Sequence, residues 1–181
     1  RVDAGGAESN VAAHVAALGH RAAWFSRLGD DALGARIRPQ LGERGVDVSA
    51  VITDAAHPTG VYFKDPGAGV SSYRRGSAAS FLATADADAL ALDGVRVVHV
   101  SGITAAISES AAAFLDRVIE RARLAGCLVS FDVNDRRALW PLDAAAPALD
   151  ALARRADLVF VGRDEAEALW DTATALDVRE R

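Results

Sequence analysis

The spacing of hydrophobic positions changes near the middle of this chain, and the change divides the predicted secondary structure into two styles. In the first part, Val11 to Leu18 is an apolar helical stretch ending at Gly19, where a left-handed cap is expected, and Arg21 to Arg27 follows as a strand. Asp31 can cap a second helix with Leu33, Ile37 and Leu41 on one face, closed by Gly45 and kinked or distorted at Pro39. Thr59 to Lys64 and Ser71 to Arg75 are strand-like runs around the turn Asp65-Pro66-Gly67-Ala68-Gly69, so an antiparallel hairpin is expected at about 58–76. Beyond it the runs Val95 to Val100, Cys127 to Val133 and Leu158 to Val161 are nearly continuously apolar, as in parallel strands buried on both faces. Ser108 caps an intervening helix striped by Ala112, Leu115, Ile119 and Ala122 and ending at Gly126; further helices are expected over Ala144 to Arg154 and Asp164 to Leu169. The alternation predicts an α/β, Rossmann-like fold with a parallel central sheet, flanking helices and a small antiparallel β hairpin.

Composition narrows the choice of ligand. With 181 residues, 51% of them hydrophobic, the chain can bury a substantial core as one domain. Its net charge of -5 comes from interspersed residues of both signs without a basic stripe, which argues against nucleic acid and anionic membrane and in favour of a small solute. The single cysteine, Cys127, lies in an apolar run and reads as a small buried hydrophobe in a reducing compartment. No stretch approaches membrane-spanning length and Arg1-Val2-Asp3 does not resemble a signal peptide, so the expectation is a cytoplasmic protein. The four histidines show no metal-ligand spacing with Cys127. A start without methionine and a charged finish at Asp177 to Arg181 both read as cuts.

Candidate chemistry begins at Gly5-Gly6-Ala7-Glu8-Ser9-Asn10, where two glycines at a helix start let backbone approach a polyhydroxylated ligand. Arg74 and Arg136 each lie within a pattern that reads as strand or strand end, and a pair of guanidinium groups can grip a carboxylate. Each residue has a structural alternative. Gly5 and Gly6 can make a tight strand-to-helix turn, Asn10 can be a first-turn polar residue, and Tyr62 can pack the hairpin. Arg74 can guard an edge strand, Arg136 can meet a helix end, Asp31 can be only a cap, and Glu165 can be a solvated helix residue.

In combination and order, these segments resemble the ribokinase-like (PfkB) family of carbohydrate kinases, most closely its 2-keto-3-deoxygluconate kinase branch. Gly5-Gly6-Ala7-Glu8-Ser9-Asn10 resembles the sugar-binding loop, Gly29-Asp30-Asp31-Ala32-Leu33-Gly34 the Gly-x-Asp-x-x-Gly element, and Ser101-Gly102-Ile103 and Asp132-Val133-Asn134 later elements. The resemblance implies a hairpin acting as a lid, with Gly5, Gly6 and Asn10 on substrate hydroxyls, Tyr62 reaching in from the lid and Ile103 lining the pocket. Arg74 and Arg136, with Asn134 beside the latter, would hold the acid end, and Glu165 would help to organise magnesium and phosphate. It further implies ATP and Mg2+ as cofactors, a small-molecule sugar acid as substrate, and the lid as a candidate homodimer surface. The branch commonly has Tyr-Tyr-Arg and Asn-Tyr-Arg where this chain has Ser72-Tyr73-Arg74 and Asn134-Asp135-Arg136, so two aromatic positions are lost and Asp135 adds a negative charge near the grip. Gly162 stands where the family's Asn-x-x-Glu element has asparagine. The family's Asp-Thr-x-Gly-Ala-Gly-Asp motif, with its catalytic aspartate, has no counterpart in residues 1–181 and is expected beyond Arg181, so these residues alone should not turn over substrate. A neutral-sugar kinase and a non-catalytic sugar-acid-binding protein remain the alternatives.

Overall fold

In the computed structural model, which describes residues 3–65, 67 and 69–181, the chain divides into two units, Arg1–Ala83 and Thr84–Arg181. The first unit begins with helix α1 (Ala7–Ala17), strands β1 (Ala22–Ala23) and β2 (Arg27–Gly29), and helix α2 (Ala32–Gly42). It continues through β3 (Val46–Asp47), β4 (Ile52–Asp54), the hairpin strands β5 (Val61–Asp65) and β6 (Gly69–Tyr73), and a 3-10 turn at Ala78–Phe81. The single strand expected over 21–27 is two short ones, because its partner segment is itself interrupted. β1 pairs in parallel with β3 and β2 with β4, while the Val51 N–H turns back onto the Val48 carbonyl between them. Buried Ala12, Leu41 and Val46 form a core here, with Trp24 and Ile37 packed against it.

Asp31 caps α2 as expected. One carboxylate oxygen accepts the N–H groups of Leu33 and Gly34 at 3.0 and 2.8 Å, and the other accepts the Thr59 N–H at 2.7 Å, tying the helix start to the segment that leads into the hairpin. Pro39 falls in the last turn, so the helix loses one backbone bond and runs on to Gly42. The hairpin registers Val61 with Tyr73 and Tyr62 with Ser72. Of the expected turn, Pro66 and Ala68 lie outside the described residues. Arg74 and Arg75 fall beyond β6 rather than on it, because the Ser77 N–H closes a turn onto the Arg74 carbonyl; Ser72 and Arg74 therefore do not share a strand face.

The second unit contains α3 (Thr84–Asp88), β7 (Val97–Ser101), α4 (Gly102–Ile107), α5 (Glu109–Leu124), β8 (Leu128–Asp132), α6 (Leu142–Ala153), β9 (Leu158–Phe160), α7 (Arg163–Trp170) and α8 (Ala175–Glu180). Its sheet is parallel, in the order β7-β8-β9. The Ser108 hydroxyl accepts the Ala111 N–H at 3.0 Å at the start of α5, whose Leu115, Ile119 and Ala122 are buried. β8 is central, with Val129 and Phe131 fully inaccessible. β9 departs from the double-sided burial its apolar run implies: Leu158, Val159 and Phe160 are 49, 41 and 57% exposed. Among the described residues it pairs only with β8 and forms the edge of the sheet. Helices α3, α4 and α8 were not expected, being too short to show a periodic stripe. No helix among the described residues is long and apolar enough to cross a membrane.

Burial by itself would raise the Asp31 carboxyl, but hydrogen bonds from Thr59, Gly34 and Leu33 outweigh it and hold the group below its ordinary 3.8. Asp31→Ala should therefore destabilise the protein by about 1–2 kcal/mol at pH 7. Because a depressed folded value gives stability above the unfolded pKa and loses it on acidification, the gap between variant and parent should narrow as pH falls below 3.8. Urea denaturation of both proteins across that range measures it, and a gap independent of pH would exclude the ionised cap.

Candidate functional site

The glycine loop of the first unit is built for close approach. Gly6 is the N-cap of α1 and has no side-chain cap; the buried Ser9 hydroxyl and the Asn10 N–H both donate to its carbonyl, at 3.4 and 3.1 Å. Asn10 is exposed in the first turn. The Ala4 N–H donates to the Gln40 side chain at 2.7 Å, which pins the approach to the loop onto α2. A Cβ on Gly5 would collide with the Tyr62 hydroxyl, so the missing side chain at position 5 is what lets Tyr62 of β5 reach the loop. The Arg74 guanidinium carbon stands 5.7 Å from the Tyr62 ring centroid, a cation–π contact of about 0.5–1 kcal/mol. The structure thus brings Gly5, Tyr62 and Arg74 into one contiguous group.

In the second unit the chemistry gathers after β7 and β8. Gly102 opens α4 where a Cβ would strike the Val133 carbonyl and the Leu149 side chain, so glycine is required for the two strand ends to lie together. Ile103, next in the helix, is 5% exposed and packed in the interior. The fully buried Ser101 hydroxyl accepts the Asn134 side-chain amide at 2.8 Å. Asn134 has φ 44°, a left-handed conformation that asparagine tolerates better than most residues. Arg136 is exposed and donates to the Asp135 carbonyl at 2.8 Å, and no carboxylate among the described residues lies within ion-pairing distance of it.

Asp135 does not sit as a free charge beside Arg136. One of its carboxylate oxygens pairs with Arg137 and the other accepts the Trp140 indole N–H at 3.2 Å. Its N–H donates to one oxygen of Glu165, whose other oxygen accepts the Gly162 N–H at 3.2 Å. Glu165 thus forms half of a capping box on α7; the other half needs an N-cap side chain, which Gly162 lacks. At the end of β8, burial raises the Asp132 carboxyl above its usual range, with the positive fields of His99 and Arg136 opposing the shift. Among the described residues no group of three or more His, Cys, Asp or Glu side chains could hold a metal ion, and Glu165 has both oxygens on backbone donors. These residues do not by themselves make a metal site.

Ser101, Arg137 and Trp140 hold this loop and were not singled out from the sequence. Ser101 lies inside the Ser101-Gly102-Ile103 segment, whereas nothing in the spacing of Arg137 or Trp140 announces a partner at Asp135.

A parallel α/β sheet, a glycine loop opening a helix, an antiparallel hairpin and an arginine on a strand-end loop define a ribokinase-like α/β protein. The chain belongs to the pfkB family of carbohydrate kinases, which matches it over residues 1–181. It is 41% identical over 177 residues to the 2-dehydro-3-deoxygluconokinase of Bacillus subtilis (strain 168), covering 93% of this chain and 54% of that protein. It is 35% identical to fructokinase-1 of Oryza sativa subsp. japonica, covering 91% and 52% of the two chains. The PfkB protein from Polaromonas sp. JS666 superposes with a TM-score of 0.89 at 36% identity, over 97% of this chain and 61% of the other. The chain spans about half the length of the curated relatives it matches.

The Gly5–Tyr62 contact can be tested by a double-mutant cycle. Gly5→Ala should destabilise the protein, and in a Tyr62→Phe background the same change should cost about 1 kcal/mol less. Denaturation midpoints of the four proteins give the coupling, and simple additivity would mean that the hydroxyl does not limit the space at Gly5.

Proposed function

We propose that the whole protein phosphorylates a sugar acid from ATP with magnesium, and that the acceptor is the 6-hydroxyl of 2-keto-3-deoxygluconate. In that transfer the γ-phosphorus forms a bond to the acceptor oxygen, its bond to the ADP oxygen breaks, and the hydroxyl proton leaves to a base. No residue of this chain is assigned as that base.

The observation that carries the reading is Arg136: an exposed guanidinium on a loop fixed by Asn134 and Asp135, with no carboxylate of the described residues within ion-pairing distance. A guanidinium so held makes paired, charge-assisted bonds to a carboxylate, and a neutral sugar offers it no such partner. Similarity to a 2-dehydro-3-deoxygluconokinase supports the same substrate. Arg74, stacked on Tyr62, is the second cation proposed for the acid group, and Gly5, Gly6 and Asn10 are proposed for the hydroxyls. A neutral-sugar kinase is the second reading, favoured by the similarity to a fructokinase and by Ser72 and Asp135 in place of aromatic residues.

A substrate comparison separates the two. In the whole protein, Arg136→Ala should raise KM for the sugar acid by about tenfold or more and leave KM for fructose nearly unchanged. Equal effects on both substrates would remove the carboxylate role.

We also propose that the hairpin mediates a homodimer. Phe63 and Tyr73 are 63 and 65% exposed and meet edge to face at 5.8 Å on the opposite side of the hairpin from Tyr62, an apolar pair suited to a second copy. Light scattering should give a dimer mass for the parent protein and a monomer mass for Phe63→Lys; a monomeric parent rejects the proposal.

A further inference from the structure

We infer that Asp135 is a positioning residue for the substrate carboxylate: it fixes the loop 134–140 so that Arg136 alone is presented to an acid group. This rests on the reading of Arg136 given above.

Every polar group of residue 135 is engaged with the protein. Its N–H donates to Glu165, its carbonyl accepts the Arg136 guanidinium at 2.8 Å, and its carboxylate oxygens hold Arg137 and the Trp140 indole. The Asp135 side chain is only 6% exposed, and a carboxylate so far from water is tolerated only with charge and hydrogen-bond partners of this kind. The residues around it are fixed too. Asn134 is held in its left-handed conformation by Ser101, and the Leu139 N–H closes a turn onto the Arg136 carbonyl at 2.8 Å. Both neighbouring arginines are exposed but thereby sorted: Arg137 is paired with the Asp135 carboxylate, and Arg136 is not.

In the sequence Asp135 is a negative charge near the grip, and charge alone would repel an acid group. Repulsion and positioning predict opposite signs. If Asp135 repels the substrate, removing its charge lowers KM for the acid. If it positions Arg136, removing it frees Arg137 and Trp140, loosens the loop and raises that KM.

The experiment measures kcat and KM for 2-keto-3-deoxygluconate and fructose with the whole protein as parent, Asp135→Ala and Asp135→Asn, and follows amide hydrogen exchange across 134–140. Positioning predicts that Asp135→Ala raises KM for the acid by about tenfold, with kcat and the fructose KM moving by less than about twofold. Asp135→Asn keeps an acceptor for Trp140 but loses the ion pair and the acceptor for Arg137, so it should fall between parent and alanine variant. Exchange across 134–140 should quicken in Asp135→Ala. A lower KM for the acid in both variants, an equal rise for both substrates, or unchanged exchange would each overturn the inference. Should Asp135→Ala fail to fold, Trp140→Phe removes the indole N–H and trims the ring while leaving the Asp135 carboxylate in place, and a smaller rise confined to the acid KM is expected; no rise there overturns the inference. A parent protein without activity on the sugar acid overturns the proposed substrate instead, and the exchange measurement still decides whether Asp135 holds the loop.

Discussion

The burial of β8 to its carboxyl end is the constraint on which the second unit's functional loop depends. Val129, Phe131 and Val133 are all inaccessible, so the chain leaves the interior at Asn134 with its polar groups still close to apolar packing. Polar groups in such a place must be paired within the protein. Ser101 takes the Asn134 amide, Glu165 takes the Asp135 N–H, and Arg137 and Trp140 take the Asp135 carboxylate. Arg136, exposed and with its guanidinium donating to the Asp135 carbonyl, is not drawn into this pairing of side chains.

The first unit reaches a similar end by steric means. Asp31 joins the start of α2 to Thr59, just before the hairpin, so that one carboxylate both caps a helix and fixes where β5 begins. From there Tyr62 can extend to the glycine loop only because position 5 has no side chain, and Arg74 lies over the same ring. Glycine at 5 is therefore an instruction about the neighbour across from it as much as about its own backbone.

Several residues that match family motifs are occupied with the protein itself. Asp31, Asn134 and Glu165 each spend their hydrogen-bonding capacity on backbone or on buried hydroxyl, while Asn10 and Arg136 are exposed. A motif can thus be preserved through two kinds of residue: those that shape a loop and those that the loop presents. The substitution of aspartate at 135, which by charge alone looks unfavourable for an acid ligand, becomes intelligible once its oxygens are seen to face Arg137 and Trp140.

The sequence by itself determined the elements whose signals are local. The hairpin, α2 with its Asp31 cap, α5 with its Ser108 cap and stripe, and the two strands β7 and β8 follow from turn chemistry, capping and periodicity, all of which act within a few residues. Tertiary structure decided the rest. The break between β1 and β2 is imposed by a turn in a partner about twenty residues away. The placing of β9 beside β8, in the order β7-β8-β9, joins segments remote in the chain, which an apolar run cannot encode. The direction of the Asp135 carboxylate depends on Arg137, Trp140 and the fold that brings Glu165 across from α7, because a charge is placed by its partners and not by its position in the chain.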